Sequence, residues 1–243
     1  MRYSWKLAGS FLALAILPFA AGGCGSGDTT GVTAAINAPT ATMSKTEASY
    51  GDAAVRQARR QRSEQERLHP RILLETSLGN VTLELDGEKA PRTVDNFLSY
   101  VDRGHYDQTI FHQVVKNYVI LGGSYDAKTS TGKLIEKRSR APVLNEAHRA
   151  LKNTRGTIAM ARRLDGVDTA TCQFFINVSD NAMLDHKDNS LAGYGYCAFG
   201  RVVTGIEVVD KIANVEVHNV DQFEQIPVQS VVIKSIRRIS SRP

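Results

Sequence analysis

The chain contains six histidines and three cysteines, the residue types that most often bind metals or act as nucleophiles. Neither type is spaced as His-x-x-x-His or Cys-x-x-Cys, the patterns that bring two ligands to one metal ion. The Gly-x-Ser-x-Gly elbow of many hydrolases is absent, and Gly25-Ser26-Gly27 does not follow a strand as a phosphate-binding loop would. The sequence therefore gives no support for a metal site, a hydrolase elbow or a phosphate-binding loop.

Cys24 is the cysteine whose neighbours suggest a modification. A short basic start is followed by a mostly apolar run, residues 7–21, and small residues then lead to Cys24, which is the layout of a secretory signal peptide. The run is shorter than the ~20 residues that a membrane-spanning helix needs, so we expect residues 1–23 to be cleaved. Cys24 resembles the cysteine of a bacterial lipobox and is predicted to carry a lipid, although Ala21 stands where a large aliphatic residue is usual. Ordinary cleavage nearby is the alternative.

Residues 24–69 are predicted to join this attachment point to the main domain. Residues 25–43 are mostly Gly, Ser, Thr and Ala, which bury too little surface to offset the entropy of ordering, so they predict a flexible tether. Residues 45–68 are rich in Ala, Arg, Gln and Glu without an apolar stripe, which predicts a solvated helix that ends before Pro70. Its basic segment, residues 55–68, is read as a solvated face, with contact to acidic lipid headgroups as the alternative.

Composition limits the classes of function. The chain has 243 residues, of which 42% are hydrophobic and 23% are charged, as expected for one soluble domain with appendages. The formal net charge of +5 is too small to indicate nucleic-acid binding, and we expect no nucleic-acid partner.

Residues 70–240 are predicted to form the main domain. Within it, residues 72–76 and 81–85 are β-branched and aliphatic runs joined by Ser77-Leu78-Gly79-Asn80, which predicts a β-hairpin. Residues 90–101 have a proline at an early helical position and repeat apolar side chains at i, i+3, i+4 and i+7, which predicts an amphipathic helix. The apolar positions of that helix are Val94, Phe97, Leu98 and Val101, and those of a second predicted helix are Val208, Val209, Ile212 and Ala213.

Other short apolar segments predict further strands. They are residues 110–115, 118–121, 156–160, 173–178, 198–203 and 228–239. Many short strands with two helices favour a closed sheet, because a barrel leaves no strand edge unpaired. The predicted fold class is therefore mainly β.

Three blocks of sequence resemble bacterial cyclophilins of the periplasmic type. They are residues 153–162 (NTRGTIAMAR), 172–178 (CQFFINV) and 182–185 (AMLD), with Phe111-His112, Gly122-Gly123 and Phe199-Gly200 in the same order around them. The resemblance implies a closed eight-stranded antiparallel β-barrel capped by two α-helices. It also implies an outer face that binds Xaa-Pro peptides and interconverts their cis and trans forms without a cofactor or a covalent intermediate.

The resemblance assigns roles to ten residues of the main domain. It implies catalytic positions at Gln113, Gln173 and Phe175. It implies substrate-binding positions at Tyr118, Val119, Ala161, Arg162, Met183, Leu184 and Tyr196, with Ala161 and Arg162 presenting their main chain.

The polar side of this site departs from the family pattern. Gln113 stands where the family has an arginine after Phe-His, and a glutamine amide donates hydrogen bonds without carrying a charge. Leu121 replaces a glutamine, Tyr118 a phenylalanine, Met183 a frequent tryptophan and Tyr196 a frequent histidine. Reduced activity is the expected consequence.

Cys172 and Cys197 allow two interpretations. They are inert buried thiols, or they form a disulfide in an oxidising compartment. The resemblance implies that they lie on neighbouring strands.

The sequence thus predicts a peptidyl-prolyl cis-trans isomerase that assists the folding of exported proteins. We expect a monomer in the periplasm or cell envelope, held to the membrane through a lipid on Cys24. The alternative is a proline-segment binding module or chaperone with little or no turnover because of Gln113.

Overall fold

The computed structural model describes residues 45–127, 134–220 and 223–240. The predicted signal peptide, Cys24 and the tether lie outside these residues. Within the described part of the chain, no helix is long and apolar enough to cross a membrane.

The described residues form eleven strands and three α-helices. The helices are α1 (Lys45–Leu68), α2 (Pro91–Val101) and α3 (Ile206–Ala213), and a single 3₁₀ turn spans Ala182–Leu184. The first six strands are β1 (Arg71–Thr76), β2 (Gly79–Leu85), β3 (Thr109–Val115), β4 (Val119–Asp126), β5 (Ile135–Glu136) and β6 (Thr157–Met160). The others are β7 (Phe174–Asn177), β8 (Ala198–Thr204), β9 (Val217–Val220), β10 (Phe223–Pro227) and β11 (Val231–Ile239).

Eight of these strands close into a barrel. Their order is β3-β11-β1-β2-β8-β6-β7-β4, and β4 pairs with β3 to complete the ring. Every pairing in the ring is antiparallel. The prediction of a closed eight-stranded antiparallel barrel is confirmed.

The β1–β2 hairpin shows how the sequence sets the register of the barrel. Both strands alternate buried and partly exposed residues, because successive side chains point to opposite faces of a sheet. Gly79 closes the turn with φ at 136°, where a Cβ atom would lie 2.8 Å from Val208 Cγ2 of α3. The turn is fixed by Thr76, whose hydroxyl donates to the Gly79 carbonyl at 2.7 Å.

Helices α2 and α3 bury the stripes that the sequence predicts. Helix α2 buries all four of its predicted apolar positions, and α3 buries Val208, Val209, Ile212 and Ala213. Ala90 gives α2 no side-chain cap, and Glu146 takes that role by accepting hydrogen bonds from both Thr93 N and Thr93 Oγ1 at 2.9 Å. A carboxylate distant in sequence therefore stabilises the start of this helix.

A group of aromatic rings packs around Phe97 within the barrel core. The ring of Phe97, on α2, lies 5.1 Å from both Tyr106 and Phe199 and 5.7 Å from Phe174, measured between centroids. Offset and edge-to-face geometries of this kind stabilise aromatic pairs beyond their burial. The core therefore anchors β7 and β8, the two strands that flank the candidate site, to α2.

Three strands were not predicted from the sequence. Strand β5 pairs with β4 outside the closed ring, and β9 and β10 form a separate hairpin. All residues of β9 are exposed, so this strand lacks the alternating burial of β1 and β2. The ring of Phe223 on β10 contacts Tyr125 at 5.1 Å between centroids.

Cys172 and Cys197 are free buried thiols, so the disulfide interpretation is wrong. The expectation that they lie on neighbouring strands is also wrong. Cys172 precedes β7 and Cys197 precedes β8, and β6 lies between these two strands. Burial raises the pKa of the Cys197 thiol to about 12, which keeps it protonated and unreactive.

Candidate functional site

Phe175 marks an unusual patch on the outside of the barrel. Its neighbours on β7, Phe174 and Ile176, belong to the interior core, so Phe175 points outward. Phe175 is nevertheless only 2% exposed. It pairs with Leu121 on β4 and Ala159 on β6, which are also buried outside that core. An apolar depression is therefore built on the outer face of the sheet.

The segment after β7 provides the far wall of this depression. The Tyr196 ring lies 5.7 Å from that of Phe175, at an interplanar angle of 77°. Tyr196 N donates to the Leu184 carbonyl at 2.8 Å, so these two buried residues are fixed side by side. Met183, in the adjacent 3₁₀ turn, is 58% exposed and lies at the rim rather than in the wall.

Tyr118 and Val119 supply the opposite wall at the start of β4. Val119 is buried and pairs with Asn177 on β7. The hydroxyl oxygen of Tyr118 is buried and has no hydrogen-bond partner among the described residues. Burial, and to a smaller extent the nearby Tyr196, raises the pKa of Tyr118 to about 12. The phenol therefore stays neutral and is a donor without an acceptor.

The two glutamines of the site are half-buried. Gln113 pairs with Leu121 across β3 and β4. Gln173 precedes β7, and its carbonyl accepts a hydrogen bond from Ala161 N at 2.9 Å. Neither side-chain amide has a hydrogen-bond partner within the described residues, so both remain available to a ligand.

Ala161 and Arg162 follow β6 and are both buried. The Arg162 guanidinium is directed at main-chain carbonyls and lies over the Tyr196 ring, 5.0 Å from its centroid. It does not point toward Gln113 as a substitute cation for the arginine that the family pattern has there.

His112 is buried beside this site and packs against Tyr125, with ring centroids 4.7 Å apart. Its Nδ1 atom has no hydrogen-bond partner among the described residues. Burial lowers the pKa of His112 to about 3, so the ring is neutral near pH 7. His112 is therefore a buried, neutral residue of β3 that lies outside the interior core cluster. Within the described residues, no three His, Cys, Asp or Glu side chains cluster in a way that would hold a metal ion.

The model of the cyclophilin type peptidyl-prolyl cis-trans isomerase/CLD family matches residues 71–238. The chain belongs to the cyclophilin family. It is 45% identical over 168 residues to peptidyl-prolyl cis-trans isomerase A of Dickeya dadantii, which covers 69% of this chain and 84% of that protein. It is 46% identical over 166 residues to peptidyl-prolyl cis-trans isomerase cyp18 of Streptomyces antibioticus, covering 68% of this chain and 96% of the relative.

A solved structure supports the same family. The crystal structure of a Cryptosporidium parvum cyclophilin type peptidyl-prolyl cis-trans isomerase superposes with a TM-score of 0.58 at 26% identity. The match covers 72% of this chain and 99% of that one. The family and the fold that the sequence resemblance implied are therefore confirmed.

Most of the residues that the resemblance assigns to this cyclophilin's site do converge. Phe175, Leu184 and Tyr196 form the buried wall, Tyr118 and Val119 face them, and Ala161 and Arg162 border the same depression. The side-chain amides of Gln113 and Gln173, which have no partner among the described residues, lie at its edge. Met183 is the most exposed member and contributes only to the rim.

Three asparagines that the sequence analysis missed position these walls. All three, Asn153, Asn177 and Asn181, are buried. Asn153 Nδ2 donates to the carbonyls of Leu184 and Tyr196, both at 3.2 Å. Asn181 Nδ2 donates to the Tyr118 carbonyl at 2.9 Å.

Asn177 connects the other two asparagines. Its side chain donates to Asn153 Oδ1 at 3.3 Å and accepts from Asn181 Nδ2 at 2.7 Å. One amide network therefore links both walls of the depression. The available signal was Asn177 itself, because asparagine is depleted from strands unless its side chain has a specific partner.

Proposed function

We propose that this cyclophilin is a peptidyl-prolyl cis-trans isomerase that acts on extended Xaa-Pro segments of exported proteins. The observation that carries the proposal is the buried apolar depression around Phe175 on the outside of the barrel. Its buried apolar side chains have the chemistry that a proline ring needs, and the amides of Gln113 and Gln173, which have no partner among the described residues, lie at its edge. The family membership and the names of the relatives support the same reaction.

The reaction needs little more than such a depression. Rotation about a peptide bond faces a barrier of ~18–20 kcal/mol, because resonance gives the C–N bond double-bond character. Uncatalysed Xaa-Pro exchange takes tens to hundreds of seconds. A catalyst accelerates it by holding the proline ring while the preceding carbonyl rotates, and by favouring the twisted amide over either planar form. No cofactor and no covalent intermediate is required.

In this site, Phe175, Leu184 and Val119 would hold the proline ring, with Tyr118, Tyr196 and Met183 around them. Gln113 would donate to the twisting amide. Ala161 and Arg162 would present main chain to the peptide, and Gln173 would make a further polar contact. Each role depends on the same apolar wall, so loss of Phe175 should affect both binding and turnover.

The neutral Gln113 sets the expected rate. Hydrogen bonds to charged groups contribute ~1.5–3 kcal/mol and neutral ones ~1 kcal/mol, a difference of about 0.5–2 kcal/mol. At ~1.4 kcal/mol per decade, we expect a rate about two- to thirtyfold below that of the same site with an arginine.

The test is kcat/KM for cis-to-trans exchange of an Xaa-Pro peptide by the full chain. Acceleration well above the spontaneous rate, lost in Phe175→Ala, would support the proposal. The control is Leu78→Ala, because Leu78 is exposed in the turn between β1 and β2, outside the strands that carry the site.

A second candidate is a proline-segment binding module, and Gln113 is the observation that favours it. Binding of the peptide without acceleration of its exchange would support this alternative and contradict the isomerase.

The cellular location of the protein is also part of the proposal. The apolar run at residues 7–21 and Cys24 support export to the periplasm or cell envelope with a lipid anchor. Labelling with a radioactive fatty acid, lost in Cys24→Ser, would test the anchor, and light scattering would test the expected monomer. A soluble, unlabelled, exported protein would contradict the anchor but leave the isomerase proposal standing.

A further inference from the structure

Arg162 makes an unusual set of contacts for a buried arginine. Its side chain donates four hydrogen bonds, all to main-chain carbonyls. Nε donates to Gly195 at 3.0 Å, and Nη2 donates to Leu191 at 2.9 Å. Nη1 donates to both Arg163 and Gly166 at 3.2 Å. One side chain therefore ties the turn after β6 to the loop that precedes β8.

The charge of Arg162 has no ion-pair partner in the part of the chain that the structure describes. Arg162 is only 5% exposed, so water gives it little compensation. The carbonyl dipoles and the face of the Tyr196 ring take that role. A buried charge is costly to desolvate and is often neutral or unfavourable for stability compared with apolar side chains. Its presence here points to a role other than stability.

The loop that Arg162 holds carries Tyr196 into the site. Gly195, the residue before Tyr196, has φ at 77° and accepts from both Arg162 Nε and Asn145 Nδ2, the latter at 3.1 Å. A Cβ atom on Gly195 would lie 2.6 Å from the carbonyl carbon of Asp185, so the main chain there has little freedom. This clamp holds the main chain immediately before Tyr196 and adds to the hydrogen bonds that Tyr196 itself makes with Leu184 and Asn153.

We propose that Arg162 is a positioning residue, whose guanidinium fixes residues 191–196 and thereby holds Tyr196 against Phe175 to form the peptide-binding wall. The inference rests on the proposed function, and it assigns to the Arg162 side chain a part that is separate from its main chain. A lysine cannot replace it, because an ammonium group has three donors on one nitrogen and no planar face to stack on Tyr196.

The experiment compares Arg162→Lys with the unaltered full chain. The dissociation constant for an Xaa-Pro peptide is measured by NMR titration, and amide hydrogen exchange is measured over residues 191–196. We expect about tenfold weaker peptide binding and at least tenfold faster exchange of these amides. The matched control is Arg238→Lys, which alters a two-bond pair with Asp102 at 2.7 Å outside the site and should change both quantities less than twofold.

A double substitution separates positioning from general stability. If Arg162 acts through Tyr196, then Arg162→Lys should weaken binding little further when Tyr196→Ala is already present. Independent effects of the two substitutions would overturn the proposal, and so would an unchanged Arg162→Lys. Arg162→Gln, which removes the charge but retains two donors, is the second variant if the lysine protein does not fold.

The two proposals fail in different ways. If the unaltered protein binds no Xaa-Pro peptide, the proposed function is wrong. The exchange rates at residues 191–196 still decide whether Arg162 fixes the loop, and unchanged rates in both variants would overturn the positioning role.

Discussion

Gln113 on β3 and Leu121 on β4 are direct partners across an antiparallel pair of strands. Leu121 is buried, and its side chain offers no hydrogen bond to hold the amide opposite it. Two departures from the family pattern thus occupy one location. Where the family pattern has an arginine and a glutamine, this chain has a neutral amide next to an apolar side chain.

Restoring the charge at this position should raise activity. We expect Gln113→Arg to increase kcat/KM about two- to thirtyfold, because a charged donor stabilises the twisted amide more than a neutral one does. Gln113→Arg with Leu121→Gln should exceed the single variant, since the new amide would orient the guanidinium. Gln229→Arg, at an exposed turn, is the charge-matched control. A double variant no faster than Gln113→Arg would show that Leu121 does not limit the site.

Removing the unpartnered hydroxyl of Tyr118 should stabilise the protein. A buried hydroxyl without a partner costs about 1–3 kcal/mol, so Tyr118→Phe should raise the free energy of unfolding by about 1 kcal/mol. Urea denaturation monitored by circular dichroism measures this change. Tyr194→Phe is the control of opposite sign, because the Tyr194 hydroxyl donates to the Asn145 carbonyl at 3.3 Å. A lower stability of Tyr118→Phe would contradict the structure.

The stability of the barrel should depend on pH through His112. The pKa of His112 is about 3 in the folded protein and ~6.5 in the unfolded chain. Below pH ~6.5 the unfolded chain therefore binds a proton at His112 that the folded protein does not bind. The free energy of unfolding therefore rises with pH between about pH 3 and pH ~6.5. His112 alone should lower it by about 2 kcal/mol when the pH falls from 7 to 5.

His112→Phe tests this dependence, because the phenylalanine ring can also pack against Tyr125. Urea denaturation at pH 5 and pH 7 should show a smaller difference in this variant than in the unaltered protein. The exposed His218→Phe is the matched control. The same pH difference in His112→Phe and the unaltered protein would exclude His112 as its cause.

The donor of Asn153 should matter for both stability and activity. Asn153→Asp keeps the shape but places a carboxylate against the Leu184 and Tyr196 carbonyls and against Asp185 Oδ1, which lies 3.2 Å from Asn153 Nδ2. We expect a loss of about 1–3 kcal/mol in unfolding free energy and weaker peptide binding. Asn214→Asp, whose amide donates to the Asp210 carbonyl at an exposed position, is the control. Equal effects of the two substitutions would contradict the positioning role of Asn153.

Local pattern was sufficient to predict the elements whose packing follows a simple period. The β1–β2 hairpin and helix α2 both place apolar residues on one face at the spacing that their conformation requires, and both formed where predicted. Strand β9 carries no such period because none of its residues is buried, so its sequence looks like a loop. A periodic pattern of apolar residues reveals which side chains are buried. It does not reveal a strand such as β9, which is stabilised by hydrogen bonds to its partner strand and not by burial.

Some residues of the candidate site could likewise be predicted from the sequence, and others could not. Phe175 and Leu184 were identified through the family resemblance, since their apolar character alone favours a place in the barrel core. The Arg162 hydrogen bonds to Gly195 and Leu191, and those of Asn153 to Leu184 and Tyr196, use carbonyls that follow much later in the chain. No local sequence window contains both the donor and the acceptor, so only the folded chain reveals them.

The closure of the barrel also sets an order of events in time. The last strand, β11, lies between β1 and β3, so the ring has a gap until residues 231–239 are present. A chain delivered from its N-terminal end therefore exposes two unpaired strand edges until these residues follow. A catalyst whose proposed substrates are newly exported chains would itself become native only after its own last strand arrives.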